Sequence, residues 1–478
     1  MKIPCSRHTI GSSPSHLISR LLLYLSFALF FSALPVTATG AEVVEKKLSL
    51  SKCIEIALKN ATSTLKASNN VKLQSADVLR SYGSFLPKLS LSANYTPYSL
   101  NQSYSQIFPG EPISKIRTES ETVSMTLSTS LNLFNGFRDY ASLQAALQRK
   151  RASEYSLSRA IQTVAFDVTQ AYYQLLLDRE LLEIAKENHL STLDQLTLTE
   201  RQFQIGLKSM IDRYQQQAEA AQSNLSVIKA QTRLQHSRLE LLRRLQIDPE
   251  TVFILEPLPE ELKKPPESKP DINKLINLAL EERMDLKGSR LETSAAKWQI
   301  TSARAAWYPK LDLNITTGSS GTASLSQNIG GRIYESTFPT VSDQLRQTIG
   351  YSIGLNLSWA IFDGFQTSYN VQSSRINYLN RELDTEDLKF NIIIDLQQAA
   401  SEYNSAFAQI EAAKVSMAAA ESAYEGVKRK HELGAAGFIE LSSARATRFS
   451  ARSNLSQATY NLALQRSVLD YRSGIPLQ

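Results

Sequence analysis

The chain is 478 residues long, and its 52 Lys and Arg against 46 Asp and Glu leave a formal net charge of +6. That surplus is too mild to mark a nucleic-acid-binding surface. Of its two cysteines only Cys53 lies beyond the apparent leader, which excludes an intrachain disulfide in the processed protein.

Residues 1–41 read as a signal peptide. Lys2, Arg7 and Arg20 give a positive start without acids, Leu21 to Phe31 form an apolar run, and small residues follow through Ala38 and Ala41. The run is well short of the roughly 20 residues a spanning helix needs. Cys5 precedes the run and is badly placed for lipidation. Losing three cations and no anions lowers the net charge from +6 to +3. An exported chain without a spanning helix is either soluble or a β-barrel protein.

The pattern then predicts a helix from Leu50 to about Tyr82, closed by Pro87. A strand follows at 88–96, alternating through Leu89, Leu91, Ala93 and Tyr95. A polar loop at 97–120 leads to a second strand at 121–133, with Val123, Met125, Leu127, Leu131 and Leu133 on one face. Ser, Thr and Asn fill the other face. Apolar outside and polar inside is the pattern of a membrane barrel around water. The strands have about the length a tilted strand needs to cross a bilayer, ~9–11 residues.

After Phe134-Asn135-Gly136-Phe137 the period changes from two to seven. Ile161, Val168, Leu175, Leu182, His189, Leu196 and Phe203 fall at strict seven-residue steps, which implies left-handed coiled-coil packing. The stretch from Phe137 to Gln204 would be about 100 Å long as one helix. A rod or a tube requires such a helix, and a globular core does not. The turn Ile205-Gly206-Leu207 ends it, and a further helical pattern runs to the Pro- and Glu-rich linker at 248–270, with a short element at 251–255.

The whole order then repeats. Phe362-Asp363-Gly364-Phe365 answers residues 134–137 at an offset of 228, and Leu433-Gly434-Ala435 answers 205–207 at the same offset. Tyr308-Pro309-Lys310-Leu311 answers Leu86-Pro87-Lys88-Leu89 at 222. The second copy predicts a helix from Ile272 to about Trp307, capped by Asp271, strands at 310–317 and 348–359, and a loop at 318–347 between them. Its heptad seam runs through Leu396, Tyr403, Ile410, Met417, Tyr424 and His431, beside a seam of small residues at Ala399, Ala406, Ala413 and Ala420. The units are therefore 42–247 and 271–478. Four strands do not close a membrane barrel, since the smallest have eight, and an open edge in lipid leaves backbone groups unpaired. The chain is expected to oligomerise, and the strand count alone allows a dimer or a trimer.

Helix, strand, loop, strand, Phe-X-Gly-Phe, long helix, Gly turn and helix, twice over behind a signal peptide, resembles the TolC-like outer membrane efflux family across the whole mature chain. The resemblance implies a homotrimer: a 12-strand membrane β-barrel continuing into a 12-helix periplasmic α-barrel. It implies a passive exit duct in the outer membrane of a Gram-negative bacterium, held in outer-membrane lipid. Such a duct docks onto a periplasmic adaptor (membrane fusion) protein and an inner-membrane pump of RND or ABC type, for drug efflux or type I secretion. The turns Ile205-Gly206-Leu207 and Leu433-Gly434-Ala435 become adaptor-docking sites. The periplasmic gate maps to Glu440, with Ser443 where relatives carry a second carboxylate, to Asp212 as a latch aspartate, and to His431 at the latch-tyrosine position. Ala436 stands in place of the basic latch partner, so the constriction transfers while the particular latch bonds do not.

Each of these residues also has a plainer reading. Glu440 reads equally as a solvated helix-face carboxylate, and His431 and His189 as packed seam residues. Gly136 and Gly364 are expected to supply backbone freedom where strand becomes helix, with Pro87 and Pro309 at the opposite transitions. Trp307, Tyr308 and Trp359 lie near strand ends, where they suit an interfacial aromatic belt or simple packing. The histidines show no metal spacing, and neither a phosphate loop nor a Ser/His/Asp set is present, so no enzyme, cofactor or metal is expected. The competing reading is a periplasmic coiled-coil adaptor or structural protein without a pore. It explains the heptads and leaves four amphipathic strands unexplained.

Overall fold

The computed structural model describes residues 46–106, 109–110, 113–251, 253–257, 259, 271–334 and 339–475. The leader and most of the linker lie outside the described residues. By contacts, the described residues fall into two units, Lys46 with Thr251 and Phe253 in one, and the described parts of Lys47–Glu250 and Ile254–Gln478 in the other. The latter carries the architecture described below.

In chain order the elements are β1 (Lys46–Leu48), α1 (Leu50–Asn60), α2 (Thr62–Gly83), β2 (Lys88–Ser105), β3 (Ser114–Phe134), α3 (Arg138–Gln204) and α4 (Met210–Leu245). Then come β4 (Phe253–Leu255), α5 (Ile272–Glu282), α6 (Met284–Arg304), a 3-10 turn (Ala305–Trp307), β5 (Lys310–Ile329), β6 (Arg332–Tyr334), α7 (Val341–Gln347), β7 (Ile349–Ser358), α8 (Gln366–Glu432) and α9 (Phe438–Ser473). The duplication is metrical: α3 and α8 each have 67 residues, and α4 and α9 each have 36.

The main sheet runs β2–β3–β5–β7, all antiparallel, with β6 on the far end of β5. Its register pairs Leu91 with Leu127, Leu131 with Leu313 and Leu313 with Leu355. Directly opposed residues share a face, so the apolar alternation of all four strands lies on one side. Ser128, Asn314, Gly354 and Asn356 lie on the other. Trp359, just past β7, donates its indole N–H to the Trp307 carbonyl at 3.0 Å, bringing these two aromatics together at one end of the sheet.

Three strands run further than the alternation indicated. β2 continues to Ser105, β3 begins at Ser114 and β5 reaches Ile329, so much of the expected loops at 97–120 and 318–347 is paired strand. The apolar alternation fades there, whereas backbone pairing continues through Ser, Thr, Tyr and Ile, which suit a pleated ribbon without a buried face. The register shifts between Thr96 and Ser99, around Pro97, which has no N–H for the ladder. The second loop also holds α7. There Gln344 accepts from the Thr322 N–H at 2.9 Å and donates to its carbonyl at 2.8 Å, occupying strand edge that β7 does not cover.

The opening helices are each broken in two rather than continuous. Ala61 (φ −58°, ψ 120°) and Arg283 (φ −60°, ψ 124°) leave the helical region at positions 222 apart, the offset of the repeat. Neither is Gly or Pro, so no sequence signal marks the break. Tertiary contact accompanies it at Arg283, which pairs with Asp285 and donates to the Arg472 carbonyl at 3.3 Å.

At the strand-to-helix corners Gly136 and Gly364 have φ of +67° and +65°. Phe137 and Phe365, which follow, are also left-handed at +67° and +68°. A side chain normally resists that conformation. Each Phe packs edge-on against the Phe three residues earlier at 5.6 Å, which helps to hold the corner. The long helices then pair through their heptads, burying Val168, Leu175 and Leu182 in the first copy and Ile392, Ala399, Ala406 and Ala420 in the second. Ion pairs Asp167–Arg244 and Asp395–Arg472 stand at repeat-related positions near the ends of α4 and α9.

Candidate gate and docking tips

Each long helix ends in the same backbone turn. Gly206 (φ +80°) donates to the Phe203 carbonyl at 3.0 Å while Leu207 donates to Gln202 at 2.8 Å. Gly434 (φ +73°) donates to His431 at 3.0 Å and Ala435 to Lys430 at 2.8 Å. These are Schellman-type C-caps, and the left-handed residue is glycine for the usual steric reason. Ile205 and Leu207 are 71% and 70% exposed, and Leu433 is 85% exposed. The sequence-predicted docking residues are therefore presented to solvent at the two tips.

The turns are fastened differently on their far sides. In the first, Ser209 and Asp212 form a capping box: Asp212 N–H donates to Ser209 Oγ at 3.2 Å, and Asp212 Oδ2 accepts from Ser209 N–H at 3.0 Å. Hydrogen bonds from the Ser209 side chain and then its backbone hold the Asp212 carboxyl below its usual range. Asp212, expected as a latch between helices, thus commits its carboxylate to its own helix. In the second turn Gly437 offers no capping side chain, and His431 Nδ1 sits 2.8 Å from the Ala436 carbonyl instead. A carbonyl only accepts, so Nδ1 carries a proton. His431 Nε2 lies 3.4 Å from Gln195 Nε2 on α3, which ties the two tips together. Glu440 and Ser443, one turn apart at the start of α9, are both exposed.

The hairpins above the tips differ in their cores. Fully buried Gln216 donates Nε2 to the Thr192 carbonyl at 3.2 Å, and Ser223 Oγ lies 2.7 Å from Thr192 Oγ1 and 2.8 Å from His189 Nδ1. His189 is accordingly a structural residue. At the corresponding positions of the second copy stand Ala444, Ala420, Ala451 and Met417. Hydrogen bonds cross-link the first hairpin; close alanine packing holds the second.

The sequence reading missed the arginines that tie the copies together. Arg445 and Arg452 on α9 pair with Glu219 on α4, at 2.9 Å, and with Glu187 on α3, while Arg448 between them pairs with Glu421 on α8 at 2.8 Å. Ser456 donates to Glu180 at 2.6 Å one turn further along. The available signal was the i, i+3, i+7 spacing of the three arginines opposite Glu180 and Glu187, which are seven apart. A cavity of about 550 Å³ between the tips is lined by Gln195, Lys208, Tyr424, His431 and Arg445. Among the described residues no three His, Cys, Asp or Glu cluster as a metal site, and no helix is long and apolar enough to cross a membrane.

A family model described as "Outer membrane efflux protein" matches residues 53–245 and 275–470, once for each copy. The chain belongs to the outer membrane efflux protein family. It is 24% identical over 388 residues to outer membrane protein TolC of Escherichia coli, covering 80% of this chain and 73% of that one. It is 23% identical over 350 residues to the alkaline protease secretion protein AprF of Pseudomonas aeruginosa, covering 73% and 69%. Among solved structures, the CmeC outer membrane channel of Campylobacter jejuni aligns with a TM-score of 0.76 at 17% identity, over 90% of this chain and 86% of that one. The outer-membrane channel OprN aligns at 0.72 and 19%, over 89% of each. The family is one of channels. The protein is an outer-membrane exit duct of efflux or type I secretion, a β-barrel continued by an α-barrel that extends into the periplasm.

Proposed function

We propose that three copies close the duct, giving a 12-strand barrel in outer-membrane lipid and a 12-helix tube below it. The observation that carries this reading is the sheet order, in which β2 and β7 end the main sheet while its apolar face is continuous across four strands. Unpaired strand edges in hydrocarbon cost several kcal/mol per group, and only closure removes them. Native mass spectrometry in detergent tests the reading. A trimer is expected, and a stable monomer would overturn it.

In this reading the glycine tips meet a periplasmic adaptor, and the adaptor links the duct to an inner-membrane pump of RND or ABC type. Two kinds of relative support that range: AprF is named for alkaline protease secretion, and TtgC of Pseudomonas putida, 26% identical over 206 residues, for toluene efflux. Three copies of Glu440 around the axis form a ring of negative charge at the periplasmic entrance, favouring cations. Ser443 leaves that ring single.

A further inference from the structure

We propose that Asp387 on α8 pairs with Arg243 on α4 of the next copy, in a seam where α8 meets that copy's α2 and α4. The inference rests on the closed ring proposed above and specifies its seam.

Within one chain α3 packs against α2 and α4 of its own copy and also against α6 and α9 of the other, whereas α8 packs against α5, α6 and α9. In a closed ring of similar halves, α8 meets the next copy's α2 and α4 as α3 meets α6 and α9. The face of α8 available for that contact carries Tyr369, Ile376, Leu383 and Phe390, seven residues apart and all exposed. Such a stripe is a coiled-coil seam without its partner.

The repeat offsets convert each contact inside the chain into one between chains. Arg159 on α3 stacks its guanidinium 4.1 Å above the Tyr471 ring on α9, and Thr163 Oγ1 lies 2.9 Å from the Tyr471 hydroxyl. Moved by 228, Arg159 and Thr163 become Asp387 and Asn391, and Tyr471 becomes Arg243. The cation has changed sides, and α8 now offers two acceptors one turn apart. Arginine and tyrosine reach similar distances from the backbone, so the Arg243 guanidinium falls where the Tyr471 hydroxyl sits. Asp387 and Asn391 are exposed in the single chain, and among the described residues the Arg243 side chain pairs with its neighbour Glu240.

Other contacts change on both sides together. The polar pair Glu180–Ser456 becomes Ala408 and Ile228, apolar on both sides, with Ile228 50% exposed in the single chain. The ion pair Glu187–Arg452 becomes uncharged Val415 and Asn224. At the strand-to-helix corner, a Cβ on Gly136 would lie 2.5 Å from the Ala305 carbonyl, whereas Gly364 faces open space in the single chain. The positions that would fill that space are Gly83 and Leu86 of the next copy. A surface meant for solvent has no reason to match in charge, polarity and space at positions fixed by the repeat.

Charge reversal and cross-linking test the seam. Asp387→Arg and Arg243→Asp should each raise the dissociated fraction of the detergent-solubilised oligomer about tenfold, because like charges then face each other. The double reversal should return it to within about twofold of the parent. Loss of the exposed Glu240 contact in Arg243→Asp contributes little by itself. Independently, Ala408→Cys with Ile228→Cys, treated with a short bismaleimide, should give covalent oligomers, with buried Cys53 unreactive. An intact trimer indifferent to charge reversal, with cross-links absent or confined to single chains, overturns the seam and leaves the trimer standing. A parent protein that stays monomeric overturns both.

Discussion

Arg445 on α9 reaches Glu219 on α4 at 2.9 Å and joins the two halves of the chain just above the tips. Arg445 is only 5% exposed, and its Nε and the Glu219 Oε2 are buried without a partner among the described residues. One hydrogen bond therefore holds a mostly desolvated pair. Removing one member of a buried pair costs about 3 kcal/mol, because the other charge remains. Arg445→Ala is expected to loosen the second hairpin and raise basal conductance in planar bilayers. Joint replacement by Met and Leu should restore stability more closely to the parent. Unchanged conductance in Arg445→Ala would remove this pair from the account of closure.

Gly434 supplies a left-handed turn, and a side chain there costs about 1–2 kcal/mol locally. Gly434→Glu, and likewise Gly206→Glu, should abolish export while trimer and membrane insertion persist, because the tips lie outside every buried cluster. Gly434→Ala separates backbone strain from steric block and is expected to retain most export. Full efflux by the glutamate variants with their pump would exclude the turns as docking sites.

Glu440→Ala should reduce cation selectivity and weaken block by multivalent cations, since the proposed ring loses its charge. Ser443→Asp should strengthen both by adding a second ring one helical turn away. Reversal-potential measurements on single channels decide the matter. Unchanged selectivity in an intact Glu440→Ala trimer would defeat the gate assignment without touching the fold.

Asp212 has its acidity raised by the Ser209 hydrogen bonds, so its pKa is lower folded than unfolded. By linkage, the stabilisation is present above the ordinary carboxylate pKa and is lost as pH falls through the depressed folded value. Hydrogen-exchange protection at the Ser209 and Asp212 amides, taken against the intrinsic rate at each pH, should be high at neutral pH and fall in acid, and Asp212→Ala should show low protection throughout. A pH-independent difference between the two proteins would rule out the charged cap.

Cys53 is fully buried, and burial pushes its thiol up from 9.0 to about 12. Folded protein should resist maleimide at neutral pH. Because the folded pKa is raised, stability is unaffected below about pH 9 and falls as pH rises toward 12, where only the unfolded chain ionises readily. Rapid labelling of native protein would show that α1 opens far more often than its packing implies.

By itself the sequence determined the two copies, the strands, the long heptad helices and the glycine turns. Each rests on a local cause: side-chain period, the left-handed freedom of Gly206 and Gly434, or the fixed backbone of Pro87 and Pro309. The breaks at Ala61 and Arg283, the added strand length beyond Tyr95, and the cross-ties from Arg445 and Arg452 were decided only in the tertiary structure. At these positions no residue's own preference dictates the outcome. An arginine on a helix reads as a solvated charge until the fold places Glu219 or Glu187 beside it, and Asp212 reads as a latch until its own helix N-terminus claims it. Local chemistry set the elements, and long-range packing chose which polar groups would meet.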